Sequence, residues 1–187
     1  MNTRQRIHFQ SGLTIPELML GLLIFAIVTS LGVPSFQSLM RKSEMKSQVG
    51  LLTSSLAYAR SEAVSRQKNI SVCATNDGSS CNGGNDWNLG WMVFINENQD
   101  STFDSAEGDE LLKLVGDSGG QATLSVTSGV PAMLFTAAGE SLNGEVTLEL
   151  CAGDVEVADD VMRSRTITVS AVGSARVAKG AACGYSG

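Results

Sequence analysis

The chain has 187 residues, 43% of them hydrophobic and 17% charged, with a formal net charge of −6. That length supports one domain with a sizeable core, and the acidic balance would repel nucleic acid and anionic lipid at long range. Its single histidine is His8, so beyond the first turns of the chain no imidazole is left for a Ser-His-Asp or Cys-His arrangement or for a zinc site.

Residues 1–12 carry Arg4 and Arg6 and no acid, and read as a short leader whose removal takes the formal charge from −6 to −8. From Leu13 to Val33 the only charged residue is Glu17. A helix of that length spans roughly 31 Å, about the thickness of a bilayer core. A secretory signal would have a shorter apolar region followed by a small-residue cleavage site. Here the apolar run passes into a helical pattern, so residues 13–33 read as a retained membrane anchor. A carboxylate at the centre of such a span costs roughly 2.5–3.5 kcal/mol, although Glu17 lies near one end.

Gly32 and Pro34 follow, where a kink or local melting is expected because proline lacks an N–H and crowds the preceding turn. Residues 34–68 then form an amphipathic half. Val49, Leu52, Leu56, Ala59, Ala63 and Val64 recur mostly at three- and four-residue steps, and the helix should end near Arg66 to Asn69.

Residues 69–187 change to short β-rich runs. These are Ile70–Ala74, Trp91–Ile95, Leu111–Val115, Ala122–Thr127, Ala132–Thr136, Val146–Cys151, Thr166–Val172 and Ala175–Ala178, punctuated by Gly, Asn, Asp and Ser. The fold class is therefore α+β: a long N-terminal helix, part transmembrane and part amphipathic, packed on a C-terminal antiparallel β-sheet head. From Asn69 onward five Lys/Arg face sixteen Asp/Glu, a net of −11. Four of those bases, Arg163, Arg165, Arg176 and Lys179, fall after Val161 with no acid among them, which marks a contact surface for an acidic protein neighbour or for phosphate.

Cys73, Cys81, Cys151 and Cys183 all lie beyond the apolar segment. An even count there favours disulfides in an oxidising compartment, and the spacings are not those of close zinc pairs. Four cysteines permit three connectivities. We expect Cys73–Cys81, across a turn-rich loop, and Cys151–Cys183, tying the chain end to the run from Val146. The bases Arg41, Lys42 and Lys46 after the anchor would by a simple count place that side inside the cell. The cysteines argue for the opposite orientation.

The stretch Ser11-Gly12-Leu13-Thr14-Ile15-Pro16-Glu17-Leu18 resembles the cleavage region of type IV prepilins and type II secretion pseudopilins. Gly12 ends a short basic leader, an apolar residue follows, and Glu17 is the fifth residue of the mature chain. Pro34 falls where many pilins have a helix-breaking proline. Leu13 departs from the usual Phe or Met. The run from Leu56 to Val64, Cys73, Asp86-Trp87 and Gly90-Trp91-Met92-Val93-Phe94 resemble the GspH/FimT/FimU group. The Cys73–Cys81 loop with Asn76-Asp77-Gly78 is most similar to its FimU branch.

The resemblance implies a pilin-like fold. It implies cleavage between Gly12 and Leu13 and N-methylation of Leu13 by a prepilin peptidase, and an assembly role for Glu17 opposite the new N-terminal amine. It implies a bacterial inner-membrane protein with its head in the periplasm, later at the cell surface in a filament with other major and minor pilins. DNA-binding members of the FimT branch carry a Gly-Arg-x-Arg-like motif near this end. Gly173-Ser174-Ala175-Arg176 lacks its first arginine, which ranks DNA behind protein as a partner of this surface.

No catalytic motif is present: there is no G-x-S-x-G, no G-x-x-x-x-G-K-[ST] and no H-E-x-x-H. Asp109-Glu110 and Asp159-Asp160 read as solvated turns, and no cofactor is implied. Asn96, Asn98, Asp100, Asp104 and Glu107 have the spacing of a calcium loop. Ser101 stands where that loop needs Gly, however, and β runs flank it, so a polar turn is the preferred reading. Three functions fit: a minor pilin that primes or sits near the tip of a type IV pilus, a pseudopilin of type II secretion, or a DNA-uptake pilin.

Overall fold

The computed structural model describes residues 14–84, 86–117, 119, 123–126, 129–151 and 164–179. Two compact units divide the chain at Met40 and Arg41, and helix α1, Ile15–Arg66, contributes to both.

In the first unit α1 starts directly after Thr14, whose carbonyl accepts the N–H groups of Glu17 and Leu18 at 3.1 Å. Pro16 falls in the first turn, where a missing N–H costs nothing, and Glu17 brings negative charge to the positive end of the helix dipole. Leu18, Leu20, Leu22, Leu23, Ile24, Phe25 and Ile27 are all more than half exposed. The hydroxyls of this stretch turn back onto the helix. Thr29 Oγ1 donates to Phe25 O at 2.9 Å and Ser30 Oγ to Ile27 O at 2.8 Å, so neither is left unsatisfied in apolar surroundings.

Among the described residues no helix is long and apolar enough to cross a membrane. The apolar run Leu13–Val33 of the sequence reaches beyond the described side chains at both of its ends. Helical backbone continues through Gly32 and Pro34, so that pair does not melt α1. Proline removes one hydrogen bond, and long helix on either side carries the chain across it.

In the second unit α1 buries Met45, Gln48, Leu52, Ser55, Leu56, Ala59 and Ala63, a stripe at three- and four-residue steps. Val64, read from the sequence as part of that stripe, is 45% exposed and lies off it. The helix ends where Gln67 turns into the left-handed region at φ 56 and Lys68 N–H reaches back to Ala63 O at 3.2 Å, which satisfies a terminal carbonyl.

Among the described residues eight strands follow: β1 Ile70–Ala74, β2 Gly90–Ile95, β3 Glu110–Gly116, β4 Thr123–Val126, β5 Ala132–Phe135, β6 Val146–Cys151, β7 Ser164–Val169 and β8 Ala175–Lys179. They form two antiparallel sheets, ordered β3-β2-β1-β5 and β4-β6-β7-β8. The β-run expected at Thr166–Val172 is shifted, because the segment from Ser170 to Gly173 is the turn into β8.

The inner faces of both sheets, Ile70, Val72, Trp91, Val93, Ile95, Met133 and Phe135 on one and Leu124, Val146, Leu148, Leu150, Ile167 and Val169 on the other, share one core with the α1 stripe. The outer face of the first sheet is also covered. There Cys73, Met92, Phe94 and Ala132 are buried beneath Cys81 and Phe103. Burial on both faces explains why β1 and β2 read as continuous apolar runs instead of alternating.

Candidate assembly surfaces

Three surfaces follow from this frame. The first is the apolar part of α1. Gly12 and Leu13, the residues of the expected cleavage site, lie outside the described residues. Glu17 stands exposed in the first turn, the one acid among exposed apolar side chains from Ile15 to Val28.

The second surface is the pair of loops that roofs the first sheet. Cys73 and Cys81 are joined, with Cα atoms 5.7 Å apart. Inside that loop Asp77 Oδ1 accepts the N–H groups of Ser79 at 2.8 Å and Ser80 at 2.9 Å. Those backbone donors, Ser79 first, hold the Asp77 carboxyl far below the usual carboxylate range. Cys151 is also disulfide-bonded. Its expected partner, Cys183, lies outside the described residues.

The loop after β2 is organised by its own polar side chains. Asn96 is fully buried, and its amide donates to Ser71 Oγ at 2.8 Å and to Asp100 O at 2.6 Å. Asp109, read from the sequence as a solvated turn residue, is 7% exposed and accepts from Glu97 N at 3.3 Å and Asp104 N at 3.0 Å. Two converging backbone N–H groups make burial of that carboxylate affordable. Asp159 and Asp160, the other acid pair, lie outside the described residues.

Thr102 N–H draws the Asp100 carboxyl below its ordinary pKa; burial opposes that shift, and the Thr102 hydroxyl and Asn98 amide reinforce it. The Asn98 amide donates to both Asp100 and Glu107. Among the described residues no group of His, Cys, Asp and Glu is arranged to hold a metal ion. Phe103, at the centre of this loop, went unrecognised in the sequence because a single aromatic in an acidic, turn-rich stretch has no periodic partner.

The third surface is basic, and the fold divides it. Arg165 lies directly across from Lys179, on the inner face of the second sheet with Ile167 and Val169. Arg176 pairs with Thr168 and stands on the outer face, because side chains alternate along a strand. The described bases therefore do not form one patch, and Arg163 lies outside the described residues.

Beside this region is a groove of ≈ 510 Å³ that no sequence motif announced, lined by Gly50, Thr53, Ser54, Ala57, Arg60 and the β7–β8 turn. Arg60 Nε donates to Gly139 O at 2.9 Å. Gly173, at φ 76, comes so close to Gly139 O that a Cβ there would collide with it. The only sequence signal was a pair of turn glycines, each needed for a left-handed backbone.

A long helix packed on antiparallel sheets, with its N-terminal part apolar on every side, defines a pilin-like protein. The GspH family, described as Type II transport protein GspH, matches residues 48–173, and the chain belongs to that family. The family is structural and non-enzymatic, and its members act as minor pilins or pseudopilins of type IV pili or type II secretion, which places them at the inner membrane, in the periplasm or in a filament with other pilins.

The type IV minor pilin FimU of Pseudomonas aeruginosa is similar in structure, with a TM-score of 0.56 and 25% identity over 73% of this chain and 89% of that one. A second crystal form of the same protein gives 0.54 and 24% over 71% and 91%. The minor pseudopilin EpsH from the Type 2 Secretion System of Vibrio cholerae gives 0.48 and 15% over 72% and 96%. No curated protein sequence matches the chain.

Proposed function

We propose that the mature chain is a minor pilin of a type IV pilus, made as a prepilin, cut between Gly12 and Leu13, methylated at Leu13, and built in near the tip, where it primes assembly. The observation that carries this reading is the first part of α1, exposed and apolar on every side, with Glu17 alone in its first turn. A helix with no polar face is at home in a membrane or in a bundle of like helices. The inner membrane holds it first, with the head in the periplasm, and the filament core holds it afterwards.

In either setting the Glu17 carboxylate needs a cation, and cleavage creates one, the Leu13 amine. A neighbouring subunit's carboxylate and amine meet in the same way, which makes Glu17 an assembly residue. The partners are the prepilin peptidase and the major and minor pilins.

Likeness to FimU over 89% of that structure supports a pilus over a secretion filament. The description of the matched family favours the second reading, a type II secretion pseudopilin. DNA uptake ranks behind both, because Arg176 faces away from Arg165 and Lys179. The test is deletion of the gene followed by filament and secretion assays. A loss of surface pili, with the chain present in sheared pili of the parent, supports the first reading. Intact pili with lost exoprotein secretion support the second. A chain absent from every filament fraction, with both phenotypes normal, overturns both.

A further inference from the structure

Among the described residues β8 is the last strand of its sheet and pairs only with β7. All five of its residues are exposed. The β7–β8 hairpin closes with Ser170 N–H on Ser174 O at 3.0 Å and Gly173 N–H on Ser170 O at 2.7 Å. Bonded pairs alternate along an antiparallel ladder, so Thr168–Arg176 and Thr166–Ala178 exchange bonds. The N–H and C=O groups of Ala175, Val177 and Lys179 therefore point away from β7, and among the described residues no other strand pairs with them.

The inner face of β8 is exposed as well. Val177 lies across from Ile167 and Ala175 across from Val169. Ile167 and Val169 are fully buried, whereas Val177 is 48% exposed. The apolar face of the sheet thus runs out from under α1 at its last strand. The groove lies beside the start of this strand, where Gly173, Ser174 and Ala175 line it. Its helical wall is Gly50, Thr53, Ser54 and Ala57, side chains small enough to admit a backbone against α1.

We propose that this edge and groove receive an extended segment of a neighbouring filament subunit, a different protein, which adds a strand to β8 and carries a carboxylate where it passes Arg60. This rests on the filament-subunit reading above. Charge selects the occupant. Among the described residues no acid lines the groove and no carboxylate meets Arg60, whose Nε is held by Gly139 O. Lys179 stands on the same face at the far end of β8.

Edges are commonly guarded by basic side chains against pairing with themselves. Two β8 edges laid together would bring Arg176 and Lys179 of each copy into repulsion, whereas an acid-bearing strand meets attraction. Main-chain bonds to the open edge would give affinity, and alternate apolar side chains over Val177 and Ala175 would give register.

The experiment places a photo-crosslinking phenylalanine analogue at Ala175 of the full chain in cells that build the filament, with Leu20 in the apolar helix as a second site. The expected result is an adduct from both sites, that from Ala175 joining a different pilin-like subunit. Val177→Pro removes only an outward N–H, and Val177→Lys places a charge on the uncovered face. Either change should lower the Ala175 adduct about tenfold and leave the Leu20 adduct intact. Adducts from Leu20 with none from Ala175 overturn the inference and leave the filament reading standing. Silence at both sites removes the filament reading and the inference with it. An Ala175 adduct that both Val177 variants leave unchanged, or that joins two copies of this chain, also overturns it.

Discussion

Phe103 meets Phe94 edge to face, with ring centroids 5.2 Å apart and planes at 78°. The contact fastens an acidic loop onto the outer face of the first sheet, so this loop belongs to the fold. Phe103→Ala should destabilise the head by about 2–4 kcal/mol, somewhat below the cost of a fully buried phenylalanine. Denaturant unfolding of a soluble head beginning near Arg41 measures this. A change under about 0.5 kcal/mol would show that the loop stands off the sheet.

Cys73–Cys81 closes a short loop over the same face. The chain-entropy model gives about 2.5 kcal/mol for a loop of this size. A Cys73→Ala, Cys81→Ala double variant should lose about that much, and reduction of the parent should cost a similar amount. Peptide mapping under non-reducing conditions should recover Cys73 joined to Cys81 and Cys151 joined to Cys183. A Cys73–Cys151 peptide would contradict both assignments.

The Asp77 carboxyl lies far below its unperturbed pKa of 3.8 because Ser79 and Ser80 donate to it. A group whose pKa is depressed on folding stabilises the fold fully above its unfolded pKa and loses that contribution as pH falls. Melting temperatures of the parent and of Asp77→Asn should therefore differ most near neutrality, and the gap should start to close as pH falls below 3.8 and vanish only as pH passes the depressed folded value. A constant gap across that range would mean that the ionised carboxylate contributes nothing.

Much of this molecule is legible in its sequence because its signals are local. The apolar run is a continuous stretch of composition, the α1 stripe recurs at three- and four-residue steps, and each strand is bounded by turn formers. What was not legible depends on pairing between distant strands. The separation of Arg176 from Arg165 and Lys179 follows from a register that links residues across the β7–β8 turn. The burial of Asp109 depends on backbone N–H groups of Glu97 and Asp104, which the loop brings to it. The close approach of Gly173 to Gly139 O, beside Arg60, joins two separate turns.

Glu17→Ala should separate insertion from assembly. Removing a carboxylate from an apolar helix should leave insertion unharmed or improve it. Loss of the partner for the Leu13 amine should lower recruitment into filaments about tenfold or more. Membrane fractionation and quantification of the chain in sheared filaments measure the two effects separately. Normal filament content in the variant would remove the pairing role.

The most direct measurement of the central claim is the mass of the N-terminal peptide from chain recovered in filaments. Cleavage between Gly12 and Leu13 predicts that the mature protein begins at Leu13 with a methylated amine, and that a bulky substitution at Gly12 leaves the leader attached and keeps the chain out of the filament. A filament-bound chain that still begins at Met1 would contradict the account.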